Sequence, residues 1–147
     1  MLKNTKINKK NLQKIIKDIQ KNSPHPERVK IIAVTKTFSY SAIKSSEKNN
    51  IFDIGENKVQ ETKNKIKDKT KHKQTQIHFI GNLQSNKVNL AISLYDVIQS
   101  VDSEKTLKKI NSAANKKNKK QKIFLQLKTN NEPNQRGANK EEIKKLI

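Results

Sequence analysis

The feature of the sequence that most constrains the fold is a strand-helix unit that recurs five times. Short runs rich in β-branched residues alternate with segments whose apolar residues are spaced three and four apart, the patterns of buried strands and amphipathic helices. The predicted strands cover residues 29–35, 51–54, 77–80, 96–101 and 122–127, and an amphipathic helix over 8–21 precedes them. The first strand is apolar without alternation, which predicts burial on both faces. Units spaced roughly 20 to 27 residues apart predict an α/β fold with a parallel sheet.

Polar residues mark where several of the helices are expected to begin. Ser39 and the pair Asp102-Ser103 follow predicted strands and precede apolar residues at helical spacing. Asn139 with Glu142 has the spacing of a capping box. Such side chains satisfy the free amides of a first helical turn, so these positions are predicted N-caps.

Two architectures share this pattern, a doubly wound parallel sheet and a (β/α)8 TIM barrel. A barrel usually requires about 250 residues, whereas this chain has 147. The last predicted helix also stops in mid-pattern without a glycine cap. We therefore expect residues 1–147 to form a single domain, the N-terminal part of a chain that is truncated by about three units.

The formal net charge of +20 suggests nucleic acid or an anionic membrane surface as a partner. Only two of the 33 basic residues are arginine, the better group for forked phosphate and base recognition, and no aromatic residues interleave with the lysine runs over 63–73 and 116–122. The charge therefore argues only weakly for nucleic acid. The absence of cysteine excludes disulfides and thiolate chemistry. No apolar run is long enough for a signal peptide or a membrane span, so we expect a soluble, cytoplasmic protein.

Ligands of parallel α/β folds bind beyond the carboxyl ends of the strands, so the residues that follow each strand are the candidate site. These residues are polar: Lys36, Glu56 and Asn57, Gly81 and Asn82, Asp102, and 129–131. Lys36 is the sharpest candidate, because an amine that emerges from an apolar strand is partly desolvated and can act as a nucleophile towards an aldehyde. The alternative is an ordinary lysine on a solvated loop.

Two further candidates each have a functional and a structural interpretation. Asn57 can hydrogen-bond a ring substituent, or it can cap the helix that follows. His78 lies within the third strand, where its imidazole either points into a barrel or is a core histidine with both nitrogens bonded. The three histidines show no metal-ligand spacing, so no metal site is predicted. GxGxxG, P-loop and GxSxG motifs are also missing, which leaves dinucleotide, nucleoside-triphosphate and serine-hydrolase functions without support.

Four segments around these candidates carry a family resemblance: IIAVTKT at 31–37, IGENKVQE at 54–61, HFIGNLQSNK at 78–87 and, more weakly, QLKTNNEPNQRG at 126–137. They resemble the pyridoxal phosphate homeostasis proteins, whose fold is the barrel of the alanine racemase N-terminal domain. The resemblance implies pyridoxal 5'-phosphate (PLP) as cofactor, linked through its aldehyde to Lys36 as a Schiff base. It also implies that Asn57 lies beside the cofactor ring and that the strand of His78 lines the pocket.

The chain departs from the family pattern in several places. Gln135 and Arg136 replace the family's usual Ser or His before the late glycine, and Lys58 stands where the family often has an aromatic residue. The Ser/Thr-containing and glycine-rich segments that hold the phosphate in the family have no match in residues 1–147. Backbone amides of that kind supply much of the anion affinity. We therefore expect this chain alone to hold PLP weakly and to show little Schiff-base absorbance.

The resemblance implies a non-catalytic protein of intracellular PLP homeostasis, a monomer that stores the cofactor or delivers it to PLP-dependent apoenzymes. A racemase needs a second proton-transferring group on the opposite face of the substrate, and the sequence shows no Tyr or Cys placed for that task. A racemase-like enzyme whose remaining residues lie outside this chain stays open as the first alternative. A basic nucleic-acid-binding protein, suggested only by the charge, is the second.

Overall fold

The computed structural model describes residues 6–66, 74–130, 132 and 135–147. In these residues helices and strands alternate as α1 (Lys9–Asn22), β1 (Ile32–Val34), α2 (Tyr40–Glu47), β2 (Asp53–Glu56), α3 (Val59–Lys65), β3 (Gln76–Phe79), α4 (Val88–Leu94), β4 (Val97–Val101), α5 (Glu104–Asn115), β5 (Lys122–Leu125) and α6 (Lys140–Leu146). The alternation predicted from the sequence is confirmed. Part of the lysine run over 63–73 and Asn131 lie outside the described residues. Within those ranges, no helix has both the length and the apolar character needed to cross a bilayer.

Polar side chains fix where several helices begin. The side chains of Asn8, Ser39, Ser103 and Asn139 accept hydrogen bonds from amides at the starts of α1, α2, α5 and α6. Asn139 and Glu142 form the predicted capping box, in which each side chain bonds the other residue's amide. These bonds satisfy amides that an isolated helix leaves unpaired. The predictions for Ser39, Ser103 and Asn139 are confirmed.

The strands of the described residues form one parallel sheet in the order β1-β2-β3-β4-β5. Each strand therefore pairs with the next strand along the chain, from Ile32 opposite Asp53 to Val101 opposite Leu125. A doubly wound sheet reverses its strand order at a switch point, whereas a barrel winds in one direction. The observed order confirms the prediction of a partial (β/α)8 barrel.

One face of the sheet packs against the helices and forms the core. Ile54, Ile77 and Ile98 lie on this face and belong to one buried cluster with Tyr95, which follows α4. Phe79 joins them, with its ring centroid 4.9 Å from that of Tyr95. This layer of apolar contacts holds the strands against the helices and so fixes where each strand ends.

The opposite face of the sheet, called the inward face below, carries Val34, Gly55 and His78 in register. This face is exposed at both edge strands of the sheet, since Val34 of β1 is 50% exposed and Phe124 of β5 is 58% exposed. The prediction that the first strand is buried on both faces is therefore wrong, and the strand is only three residues long. The physical reason is that β1 forms an edge of the sheet, with a neighbouring strand on one side only.

Candidate functional site

Lys36 lies directly beyond the carboxyl end of β1. Thr35 continues the pairing of that strand, since its amide bonds the carbonyl of Gly55 at 3.0 Å, while its hydroxyl reaches Glu56 on the helix side. Side chains alternate between the faces of a strand, so Val34 faces inward and Thr35 faces the helices, and Lys36 is the first residue of the turn that follows. The residue is exposed, which corrects the prediction of a partly desolvated amine. In the part of the chain that the structure describes, nothing covers the inward face at this edge strand.

A buried ionic network lies behind the Lys36 loop, on the helix side of the sheet. The ammonium of Lys65 in α3 donates to Glu56 Oε1 at 2.7 Å and to the carbonyl of Thr35 at 2.9 Å, and Glu61 Oε1 lies 3.4 Å away. The hydroxyl of Thr35 also donates to Glu56 Oε1, at 2.6 Å. The side chains of Lys65 and Glu56 are both 0% exposed, so each ion depends on the other for the solvation that water no longer supplies.

Thr37, on the other side of Lys36, has an uncommon backbone conformation. Its φ is 66°, in the left-handed region that a β-branched residue rarely occupies. The amide of Thr37 donates to Glu61 Oε1 at 2.9 Å, the same oxygen that faces the Lys65 ammonium. The backbone on both sides of Lys36 is therefore tied to one network of charged side chains.

Glu56 was expected at a strand end, but its network with Glu61 and Lys65 was not predicted from the sequence. One signal was present, because Glu61 and Lys65 are four residues apart and so share a face of a helix. The contacts that matter for Lys36 join Thr35 to residues 21 and 30 positions away. They exist only because the parallel pairing of β1 and β2 brings α3 behind the loop, and no local pattern reports that.

Asn57 lies at the carboxyl end of β2, where Gly81 packs directly against it. A Cβ atom at Gly81 would lie 2.2 Å from the carbonyl oxygen of Asn57, so the two backbones touch. The N-cap of α3 is Lys58, without a side-chain hydrogen bond, so Asn57 does not take the capping role. Its Oδ1 atom is buried and has no hydrogen-bond partner among the described residues. The amide therefore retains hydrogen-bonding capacity for a polar ring substituent.

The imidazole of His78 has a partner at each nitrogen. Nε2 lies 2.8 Å from Asp53 Oδ1 in β2, and Nδ1 lies 2.9 Å from Gln99 Nε2 in β4. Both ring nitrogens are therefore engaged by side chains of the neighbouring strands. His78 thus lies on the inward face and is also fully bonded. Its ring can line a pocket, but neither nitrogen is left for a ligand.

The remaining residues at the strand ends are less enclosed. Asn82, Thr129 and Asn130 are exposed and Asp102 is half-buried. Lys36 and Asn57 therefore follow the carboxyl ends of two neighbouring parallel strands, and His78 lies within the third. This arrangement is that of a barrel-type domain, a class of fold in which ligands bind at the carboxyl ends of the strands.

The chain matches a family model and several known proteins. The model described as "Alanine racemase, N-terminal domain" matches residues 7–147. A pyridoxal phosphate homeostasis protein of Buchnera aphidicola subsp. Schizaphis graminum is 35% identical over 143 residues, which cover 97% of this chain and 61% of the relative. Another, from Synechocystis sp., is 34% identical over 119 residues, 81% of this chain and 55% of the relative. The structure of PipY from Synechococcus elongatus with PLP bound matches with a TM-score of 0.75 at 27% identity and covers 90% of this chain and 60% of PipY.

These matches confirm the resemblance carried by the four sequence segments. The chain belongs to the alanine racemase N-terminal domain family, and the two relatives are named pyridoxal phosphate homeostasis proteins. It spans 61% of the length of the Buchnera relative and 55% of the Synechocystis relative. Those relatives therefore contain segments that have no counterpart in residues 1–147.

Proposed function

We propose that this protein binds PLP for intracellular PLP homeostasis and that Lys36 holds the cofactor as a Schiff base. The observation that carries the proposal is that Lys36 follows the carboxyl end of β1 directly, with Asn57 at the end of the neighbouring strand. A relative named for this role aligns with 97% of the chain. The matching PipY structure contains PLP.

The residues at the mouth fit such a cofactor. The bound cofactor supplies an aldehyde whose carbon is electrophilic. Lys36 would hold the cofactor at that carbon through its side-chain amine, as a C=N bond formed with loss of water. Asn57 would offer a ring substituent its Oδ1 atom, which has no hydrogen-bond partner among the described residues. The strand of His78 would line the pocket, and its imidazole would leave the ligand no free nitrogen, since both are bonded.

We assign the phosphate group to segments outside residues 1–147. A phosphate cradle is commonly built from amides of a glycine-containing loop, and the three glycines of this chain have other structural roles. Gly55 lies within β2, Gly81 packs against Asn57, and Gly137 packs against the backbone of Lys128. This domain would then be the N-terminal part of a PLP-binding barrel and would contribute the lysine and the ring contacts.

We also propose that the protein carries the cofactor without catalytic turnover and passes it to PLP-dependent apoenzymes of the cytoplasm. Racemisation needs a second proton-transferring group opposite the first. The hydroxyl of Tyr95 is buried on the helix side, where it donates to Thr62 at 2.7 Å. The ring of Tyr40 lies at the start of α2, 5.2 Å from the Lys44 ammonium. A carrier exchanges no α-hydrogen of L-amino acids in deuterium oxide, and exchange that depends on Lys36 would contradict this role.

Borohydride trapping tests the assignment of Lys36. Reduction of the C=N bond is irreversible, so even a weakly held cofactor accumulates as a covalent adduct. With equimolar PLP, wild type and Lys30→Ala are expected to gain the adduct in intact mass, whereas Lys36→Ala gains little. Lys30 is the matched control because it is an exposed lysine just before the same strand. Equal adduct formation on wild type and Lys36→Ala would overturn the proposal.

A further inference from the structure

The loop that carries Lys36 is bound at three points by side chains of other elements. The Thr35 hydroxyl donates to Glu56 at 2.6 Å, and the Thr35 carbonyl accepts from Lys65 at 2.9 Å. The Thr37 amide donates to Glu61 at 2.9 Å. Two of these bonds lie just before Lys36 and one just after it, so the network brackets the residue without touching it.

The network also holds strain next to Lys36. A threonine with a φ of 66° is held against its steric preference. Such a conformation persists only where its surroundings fix it. Two bonds do so here: the Phe38 amide donates to the Thr35 carbonyl across the turn at 3.2 Å, and the Thr37 amide donates to Glu61. Loss of the bond to Glu61 would leave the turn bond alone to hold the backbone after Lys36.

Burial of the Lys65 ammonium is not accounted for by stability alone. A buried ion pair is often no more stable than well-packed apolar side chains of similar volume. Lys65 nevertheless directs its donors at Glu56, Glu61 and the Thr35 carbonyl, and each of these acceptors either belongs to the Lys36 loop or bonds it. Three acceptors match the three hydrogens of an ammonium group.

We propose that Lys65, with Glu56 and Glu61, positions Lys36 by fixing the backbone on both sides of it, so that the amine meets the aldehyde of the cofactor in one orientation. The inference rests on the proposed function, since it assigns Lys36 as the reacting residue. Lys65 takes no part in the bond itself, which would form between the Lys36 amine and the aldehyde carbon with loss of water; Lys65 acts only through the backbone of the Lys36 loop.

Glu61 offers the cleanest test, because its side chain is 18% exposed and Lys65 keeps Glu56 as its ionic partner when Glu61 is removed. Glu61→Ala deletes the acceptor of the Thr37 amide, whereas Glu61→Gln keeps an oxygen in the same place. Glu104→Ala is the matched control: Glu104 also lies in the first turn of a helix and pairs with a lysine four residues on, Lys108. All variants are compared with wild type in melting temperature, hydrogen exchange at the Thr37 amide, and the rate of borohydride trapping at Lys36.

In Glu61→Ala we expect exchange at the Thr37 amide to rise and trapping at Lys36 to slow, each by about tenfold, the effect of one hydrogen bond to a partly exposed carboxylate. Glu61→Gln is expected to restore both rates, and Glu104→Ala to change neither. Faster exchange at Thr37 with an unchanged trapping rate at Lys36 would overturn the positioning role, as would an equal slowing in Glu104→Ala. If wild type itself shows no preference for Lys36 over Lys30, the proposed function fails instead.

Discussion

Replacing Lys65 with methionine should destabilise the fold more than any change at a surface charge. The substitution keeps an unbranched side chain out to Cε and removes the ammonium, which bonds Glu56 at 2.7 Å with both side chains 0% exposed. The Glu56 carboxylate would keep the Thr35 hydroxyl as a donor. Its Oε2 atom already has no partner among the described residues, so a nearly unpaired buried charge would remain.

Breaking a buried pair from one side costs about 3–5 kcal/mol, a large part of the roughly 5–15 kcal/mol that stabilises a typical domain. The double variant Lys65→Met/Glu56→Gln removes the stranded charge and is expected to recover about half of that loss. Lys108→Met breaks a pair whose side chains are 75% and 67% exposed, and it should have no measurable effect.

Urea unfolding followed by circular dichroism measures these differences, provided that the slope against urea is the same for all variants. The expected order of stability is wild type and Lys108→Met, then the double variant, then Lys65→Met. A Lys65→Met protein within about 1 kcal/mol of wild type would refute the account of the network, because loss of one partner of a dry ion pair costs more than that. A double variant no more stable than the single one would refute it too.

Three further changes have defined outcomes. Gly81→Ala places a Cβ atom 2.2 Å from the carbonyl oxygen of Asn57, so we expect a loss of about 1–3 kcal/mol in urea unfolding, and an unchanged midpoint would contradict the close contact. Burial raises the pKa of the Tyr95 hydroxyl, so above pH about 10 the phenol ionises first in the unfolded chain and wild type loses stability as the pH rises. The advantage of wild type over Tyr95→Phe should therefore narrow above that pH, whereas parallel stability curves would show that the phenol does not contribute. Without borohydride, equimolar PLP should give this chain little Schiff-base absorbance, and a tight complex abolished by Lys36→Ala would show that the phosphate segments of the relatives are dispensable.

Local features of the fold were readable from the sequence because they depend on neighbouring residues. Ser39, Ser103 and Asn139 cap their helices through side chains two or three positions from the amides they bond. The strand-helix alternation rests on short apolar runs in the same way. Strand order needed the structure, because a barrel and a doubly wound sheet share that alternation.

Features that depend on distant parts of the chain were not readable. The run over 29–35 looks like a central strand, yet β1 lies at an edge, and its inward side chain Val34 is half exposed. Lys36 was expected to be partly desolvated because it follows this run, and it is exposed. Conversely, Lys65 looks like one more lysine of a solvated run, yet its side chain is fully buried against Glu56. Charge content alone does not distinguish these two lysines.

The fraction of the borohydride-reduced PLP adduct that is found on Lys36 tests most directly the claim that Lys36 holds the cofactor. The chain has 33 lysines and arginines, two of which are arginines, so indiscriminate labelling would spread the reduced cofactor over 31 lysines. Peptide mapping by mass spectrometry after brief trapping with equimolar PLP gives the share at each position. The account predicts that Lys36 carries most of the label. A share at Lys36 no larger than that at Lys30, exposed at the opposite end of the same strand, would contradict it.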